Sequence, residues 1–183
     1  MKGSIRMEND LDKALQNLKN AILTKTPKVQ GILTDWINKW SKYIVREQGF
    51  DSSYLPYYKR GDIVYVDFGF NVGTEYGGIH YAVVVETNNN KKNANILVVP
   101  LTSLENGKKI EDIPATDVYL GENIIPWTTA ATIAKPNQIR AISKMRIVKP
   151  VKSKDKKASL TGEQMNLIDE KIKSLIFHQK LDN

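Results

Sequence analysis

Cysteine is absent from the 183 residues of this chain, and histidine occurs only twice. The absence of cysteine excludes disulfide bonds, thiol catalysis and cysteine-ligated zinc. Two histidines are too few for a histidine-rich metal site, and the acidic residues form no tight cluster along the sequence. We therefore predict that the protein uses neither a metal ion nor another cofactor.

Long apolar segments are absent as well. No apolar run approaches the roughly 18 to 20 residues that a membrane-spanning helix requires. The first residues, MKGSIRMENDLDK, contain no apolar core of the kind found in secretory signals. We expect a cytoplasmic protein without membrane contact, and the lack of cysteine fits a reducing compartment.

The net charge of +7 is distributed unevenly along the chain. Residues 1–60 carry 11 Lys and Arg against 6 Asp and Glu, whereas residues 61–150 carry 9 of each sign. The central segment is therefore neutral, and the bulk charge gives no basis for predicting DNA binding. A site for a polyanion would have to come from the local placement of a few cations.

Residues 1–58 are predicted to form a helical hairpin and the linker that follows it. In residues 8–23 the large apolar side chains recur every three or four positions and so share one stripe: Leu11, Leu15, Leu18 and Ile22. Thr26 suits an N-cap and Pro27 suits the first position of a second helix. A turn this short joins the two helices as an antiparallel pair. A separate domain is predicted over residues 59–183.

In this second domain the apolar pattern changes to period two, which is typical of strands. Strands are predicted at six places: 62–68, 80–85, 95–101, 118–120, 131–133 and 140–142. Nothing between them is long enough for a crossover helix, which favours a small β-barrel over a parallel sheet. Thr161 and Gln164 match a capping box that opens a last helix. The predicted fold class is therefore α+β.

Three segments of the second domain stand out by their order and spacing. They are RGDIVYVD at residues 60–67, GTEYGGIHYAVVV at 73–85 and VPLTS at 99–103, with a weaker fourth, NQIRAI, at 137–142. Together with the last helix they resemble the MazF/PemK (Kid-like) family of toxin endoribonucleases, and the second segment is similar to the family's G-x-E-x-G-x-R-P-x-x-V pattern. The likeness covers residues 60–178 and implies an SH3-like barrel of the MazF/PemK/CcdB type. The helical hairpin has no counterpart in the short members of the family.

This resemblance implies the toxin component of a toxin–antitoxin system. Such a protein is a metal-independent endoribonuclease, a hydrolase that binds and cleaves single-stranded RNA such as mRNA. It is often a homodimer, and a cognate antitoxin protein neutralises it. The implied chemistry is attack of a ribose 2′-hydroxyl on the adjacent phosphorus, which needs a base, an acid and donors for the charge on the phosphorane.

The candidates for catalysis lie in the second and third segments. His80 stands where the family usually has an arginine, and Tyr81 stands where it has a proline. Histidine lacks the donor fork of arginine but titrates near neutrality, unless His80 is only a half-buried strand residue. Thr102 and Ser103 match a family pair that donates to phosphate, although small polar residues also cap strand ends. Glu75 matches an acidic family position that contacts RNA or acts as base, or else it is a solvated loop carboxylate.

A second group is predicted to bind the substrate. Four of its members lie in or just before the fourth segment: Lys135, Asn137, Gln138 and Arg140. The cations among them could hold phosphate through charge-assisted hydrogen bonds, or could be ordinary surface charges. Gly77 and Gly78 offer backbone that a substrate can approach. Three aromatic residues could stack on bases or pack in the protein: Phe70, Tyr76 and Trp127. His178 is interpreted as structural or exposed.

Two other functions remain open from the sequence. Because the family arginine is replaced, the same barrel could be catalytically inactive and bind RNA or a protein. The hairpin could instead act as a built-in partner that covers the RNA groove or extends a dimer. Trp36 and Trp40 share one helical stripe, which suits a protein contact or packing against the barrel.

Overall fold

The computed structural model describes residues 2–125 and 128–177, with side chains from residue 7 onward. The chain divides between Gly49 and Phe50 into two compact units. This division lies before residue 58, where the hydrophobic pattern placed the domain boundary. Tyr58 is fully buried and belongs to the core of the second unit. In the described part of the chain, no helix combines the length and the apolar character needed to cross a membrane.

The first unit is a hairpin of two helices, as predicted. Helix α1 spans Lys2–Leu23 and helix α2 spans Pro27–Glu47. Pro27 occupies the first turn of α2, where its missing N–H is not needed. Thr26 is the N-cap residue, but its hydroxyl makes no capping hydrogen bond, and its carbonyl instead accepts from the Gln30 amide at 2.9 Å. Helix α2 buries none of its residues, so the hairpin has no core of its own to stabilise it.

The second unit is built on an antiparallel sheet. Among the described residues the sheet has eight strands: β1 Asp62–Gly69, β2 Gly78–Val84, β3 Asn95–Ser103, β4 Val118–Gly121, β5 Thr132–Ala134, β6 Arg140–Ser143, β7 Ile147–Lys149 and β8 Ala158–Ser159. The strand order is β4-β5-β3-β2-β1-β7, with β6 beside β3 and β8 beside β1. The predicted α+β fold is confirmed. The sheet does not close into the predicted barrel, since among the described residues its end strands β4 and β7 do not pair with each other. Strands β7 and β8 escaped prediction because three and two residues are too few to show an alternating pattern.

Alternate side chains of the central strands enter two separate cores, because successive residues of a strand point to opposite faces. On one face, Ile63 of β1 and Val83 of β2 pack with Ile168 of the C-terminal helix. On the other face, Val66 and Ala82 pack with residues of β3 and β6. The strands that carry the candidate site are thus held from both sides.

Helix α3 spans Gly162–Ile176 and closes the second unit. The predicted capping box at its start is confirmed. The Thr161 hydroxyl accepts from the Gln164 amide at 3.3 Å, and the Gln164 side chain accepts from the Thr161 amide at 2.9 Å. The guanidinium of Arg60, just before β1, donates to both carboxylate oxygens of Asp169 and so ties the helix to the sheet.

Candidate functional site

Glycines draw the loop between β1 and β2 tightly back onto the strands. Gly69 and Gly78 face each other across this strand pair, each with a φ of 80°. A Cβ atom on Gly77 would lie 2.8 Å from the carbonyl oxygen of Gly69, so only glycine fits without a backbone shift. The side-chain amide of Asn71 donates to the carbonyl of Tyr76 at 2.7 Å. These contacts fix Tyr76 just before strand β2.

The ring of Tyr76 lies against His80. The two ring centroids are 4.6 Å apart, and the Tyr76 hydroxyl oxygen is 3.1 Å from Nδ1 of His80. The other ring nitrogen, Nε2, faces Gly78, because a Cβ atom added there would lie 3.4 Å from it. Glycine at this position therefore leaves the space beside Nε2 open.

Strand β3 lies between β2 and β5, and its pairing with the two strands covers different residues close to Thr102. It pairs with β2 as far as Pro100, which lies opposite Ala82, and from Leu101 onward it pairs with β5. His80 and Thr102 are each two residues beyond this last β2–β3 pair. Because side chains alternate along a strand, His80 and Thr102 lie on the same face of the sheet.

The Tyr76 hydroxyl occupies the place where β2 and β3 separate, and it donates to the carbonyl oxygen of Leu101 at 3.1 Å. Burial raises the pKa of Tyr76, a hydrogen bond with Thr102 opposes this rise, and the charge of Asp117 adds to it. Burial also lowers the pKa of His80 below its usual 6.5. At pH 7 the imidazole is therefore neutral and can accept a proton.

Gln138 joins Tyr76 to Arg140. The side-chain oxygen of Gln138 accepts from the backbone amide of Tyr76 at 3.1 Å and from Nη2 of Arg140 at 3.0 Å. The Arg140 guanidinium also lies over the ring of Phe68, 5.6 Å from its centroid. Phe68 in turn packs edge-on against Tyr76, with centroids 5.8 Å apart. A cation is thus held beside the tyrosine that touches His80.

Lys135 makes an ion pair at the margin of this group. Its Nζ is 2.8 Å from Oδ2 of Asp117, whose side chain is 3% exposed. The hydroxyl of Thr116 donates to the other carboxylate oxygen of Asp117 at 3.1 Å. The positive charge of Lys135 is therefore balanced inside the protein.

The structure brings some of the predicted site residues together and leaves others apart. Five of them form what we call the Tyr76–His80 cluster: Tyr76, His80, Thr102, Gln138 and Arg140. Glu75 and Asn137 are exposed and lie beside members of this cluster in sequence. Ser103 is also exposed, and strand alternation directs it to the face opposite Thr102. Phe70 is 45% exposed, whereas Trp127 and His178 lie outside the described residues.

Sequence reasoning missed two features of this site. It treated Tyr76 only as a stacking or packing residue, whereas the structure makes it the link between His80, Thr102 and Gln138. It did not single out Asp117, because an acidic residue before a short strand is too common to signal a buried ion pair. Within the described residues, no three His, Asp or Glu side chains converge as a metal site.

The sequence profile of the PemK-like, MazF-like toxins of type II toxin–antitoxin systems matches residues 59–176. The chain belongs to this family. The match spans the sheet and helix α3 and leaves out the helical hairpin. Membership places the second unit among the endoribonuclease toxins, as the sequence motifs indicated.

Solved MazF structures resemble this PemK-like, MazF-like chain. MazF from Deinococcus radiodurans is 17% identical, and the match covers 66% of this chain and 96% of that protein with a TM-score of 0.47. A MazE–MazF structure from the same organism is 15% identical, with 67% and 96% covered and a TM-score of 0.42. No curated protein matches the chain in sequence.

Proposed function

We propose that this toxin-family protein cleaves single-stranded RNA without a metal ion, by attack of a ribose 2′-hydroxyl on the adjacent phosphorus. The observation that carries the proposal is the position of His80. This neutral, half-buried imidazole lies on the same face as Thr102, with Nε2 beside the open backbone of Gly78. A base, a hydroxyl donor and an approachable backbone are thus gathered in the segments that match the family.

His80 takes the role of general base in this proposal. Nε2 accepts the proton of the 2′-hydroxyl while the new bond from O2′ to phosphorus forms and the bond from phosphorus to O5′ breaks. The leaving O5′ takes a proton from water, so the products are a cyclic phosphate and a 5′-hydroxyl end. The lowered pKa of His80 keeps the ring neutral at pH 7, as a base requires.

Charge on the phosphorane needs donors, and we assign these to Thr102 and Arg140. The guanidinium of Arg140 presents five N–H donors, of which one goes to Gln138. It supplies a positive charge that the family usually carries at the position of His80. Lys135 is less suited to hold phosphate, because Asp117 already balances its charge.

We further propose that RNA runs past the backbone of Gly77 and Gly78. Exposed Glu75 and Asn137 contact the RNA beyond the reacting phosphate in this arrangement, and Gln138 orients Arg140. Ser103 is assigned no contact with the reacting phosphate, because it faces away from Thr102. For partners we propose a second copy of this chain and a cognate antitoxin, since the matching family comprises toxins of toxin–antitoxin systems.

The test is incubation of the full-length protein with single-stranded RNA in a chelator, followed by analysis of the RNA ends. We expect cyclic-phosphate and 5′-hydroxyl ends. His80→Ala should lower kcat roughly 100-fold or more, the usual contribution of a general base. His178→Ala, which changes the other histidine, is the matched control and should cleave at the parent rate. RNA that stays intact over long incubation would refute the enzymatic proposal.

The competing proposal is a catalytically inactive module that binds RNA or a protein. The replacement of the family arginine by His80 favours it. Such a module would retard RNA in a gel or capture a partner without producing new RNA ends. Growth arrest on expression, relieved by co-expression of the neighbouring gene, would instead support a toxin and identify its antitoxin.

A further inference from the structure

We infer that Tyr76 is a positioning residue that holds His80 with its proton on Nδ1 and leaves Nε2 bare. The catalytic value of this arrangement rests on the proposed function. The arrangement itself is a property of the folded protein and can be measured without RNA.

The inference follows from the proton positions around one hydroxyl group. The Tyr76 hydroxyl has a single proton, and its oxygen lies 3.1 Å from both the carbonyl of Leu101 and Nδ1 of His80, with Thr102 as a further hydrogen-bond partner. A carbonyl oxygen can only accept a hydrogen bond, whereas Nδ1 can donate or accept. If the hydroxyl donates to Leu101, then Nδ1 must carry the hydrogen and donate to the hydroxyl oxygen.

The strand geometry explains why the Leu101 carbonyl accepts the hydrogen bond from the Tyr76 hydroxyl. The preceding carbonyl, of Pro100, accepts from the Lys135 amide at 2.9 Å, on the side of β5. Consecutive carbonyls of a strand point to opposite sides, so the Leu101 carbonyl points away from β5 and toward β2. Leu101 is only 1% exposed, and its carbonyl oxygen has two lone pairs, one of which accepts from the Tyr76 hydroxyl at 3.1 Å. With the hydroxyl proton turned to His80 instead, two oxygen atoms would face each other at this distance with no hydrogen between them.

Contacts to its backbone and ring hold Tyr76 in place beside His80. Its amide donates to Gln138 at 3.1 Å, and its carbonyl accepts from Asn71 at 2.7 Å. Its ring is wedged between Phe68 and His80. The hydroxyl oxygen is therefore fixed between the Leu101 carbonyl and Nδ1, and both contacts are hydrogen bonds only when Nδ1 carries the hydrogen.

The protonated nitrogen decides which end of His80 can act as base. In neutral histidine, the hydrogen bond made by one ring nitrogen determines the state of the other. Without a partner at Nδ1, the side chain favours the form with its hydrogen on Nε2. That form would turn an N–H toward the open side at Gly78 and could not take the 2′-hydroxyl proton there. Tyr76 reverses this preference and directs the lone pair of Nε2 to the open side.

Long-range ¹H–¹⁵N correlation spectra of the imidazole test the inference directly. The measurement is made in a His178→Gln background, so that His80 gives the only histidine signals. At pH 8 we expect a protonated Nδ1 and a bare Nε2. Tyr76→Phe keeps the ring and removes only the hydroxyl, and it should shift the population toward hydrogen on Nε2. Tyr54→Phe makes the same chemical change at a residue that is 86% exposed and should leave the spectrum unchanged.

Kinetics of the same variants connect the tautomer to catalysis. Tyr76→Phe should lower kcat roughly 10- to 100-fold with little change in KM, because binding is kept and the base is misdirected. Tyr54→Phe should match the parent. A parent protein with hydrogen on Nε2, or a Tyr76→Phe spectrum identical to the parent's, would overturn the inference whatever the activity. A parent that shows the expected spectra and leaves RNA intact would refute the proposed function and leave the positioning of His80 established.

Discussion

The Nζ of Lys135 lies 2.8 Å from Oδ2 of Asp117, a carboxylate whose side chain is 3% exposed. This ion pair joins the residue before β4 to the residue after β5. It favours a structural role for Lys135, because this lysine neutralises a buried carboxylate. We therefore propose Arg140 rather than Lys135 as the cation that meets a phosphate.

Lys135→Met should destabilise the second unit by about 2 kcal/mol. The change leaves the Asp117 carboxylate buried without its cation, and the partial exposure of Lys135 keeps the loss below that of a fully buried pair. Denaturant unfolding followed by circular dichroism measures the effect. Adding Asp117→Asn to the variant removes the unpaired charge and should restore most of the stability. Equal stability of the parent and Lys135→Met would show that the pair is not structural.

Gly77→Ala should destabilise the β1–β2 loop by about 2 kcal/mol, since the new Cβ would meet the Gly69 carbonyl at 2.8 Å. Gly31→Ala in helix α2 is the matched control. A Cβ atom there has no neighbour within 4 Å, and alanine should stabilise the helix by about 0.5–1 kcal/mol. Thermal unfolding of both variants is compared with the parent. A Gly77→Ala protein with the parent's melting temperature would contradict the close approach at Gly77.

The stability of the fold should fall as the pH drops below about 6.5, through the titration of His80. Burial lowers the pKa of His80 in the folded protein, so below the unfolded value of 6.5 the unfolded chain binds a proton that the folded chain does not. Stability is therefore complete above pH 6.5 and is lost as the pH falls toward the folded pKa. His80→Gln should remove this contribution when free energies of unfolding are compared at pH 5 and pH 7.5. Parallel pH dependences of parent and variant would argue against a buried, neutral His80.

The pH profile of RNA cleavage should also report the titration of His80, on its acidic side. Because the proposed base must be neutral, kcat should fall tenfold per pH unit below the folded pKa of His80. That pKa is obtained independently by NMR titration of the imidazole in the His178→Gln protein. An acidic limb that lies above pH 6.5 would assign the base to a different group.

Asp169→Ala should loosen helix α3 from the sheet and destabilise the second unit by about 1 kcal/mol. Nη2 of Arg60 contacts both carboxylate oxygens of Asp169, while Nη1 donates to the Val85 carbonyl and so holds the guanidinium in place. A partly buried, charge-assisted contact of this kind exceeds the usual value of a surface ion pair. Glu170→Ala, which breaks the exposed pair with Lys173, is the control and should have almost no effect. Similar losses in the two variants would show that Arg60 does not anchor the helix.

Local patterns predicted most elements of the fold. The alternation of apolar residues located strands β1 to β3, since it records which face of a strand is buried. The capping box at Thr161 and Gln164 located the start of α3, because it is formed by residues of a single turn. The alternation of apolar residues did not reveal strands β7 and β8. These short segments are strands because they pair with β1, not because of their own composition.

The candidate site was predicted as a set of residues but not as an arrangement. Motif resemblance selected His80, Thr102, Gln138 and Arg140, which the structure connects through Tyr76. It also selected Lys135, whose charge Asp117 balances, and Ser103, which strand alternation turns away. Residue type and order along the chain do not distinguish these outcomes.

The sequence by itself determined the helical hairpin, the strand-rich second unit, its final helix and the family to which that unit belongs. These features depend on the spacing of residues a few positions apart, so a single segment of the sequence is enough to reveal them. Only the tertiary structure decided that Tyr76 lies between His80 and Leu101, and that Lys135 neutralises Asp117. The first depends on where the β2–β3 ladder ends and on contacts such as that between Tyr76 and Gln138, 62 positions apart. The second depends on the pairing of β4 with β5, which places Val118 opposite Ala134. Contacts of this range form only when the whole sheet is assembled.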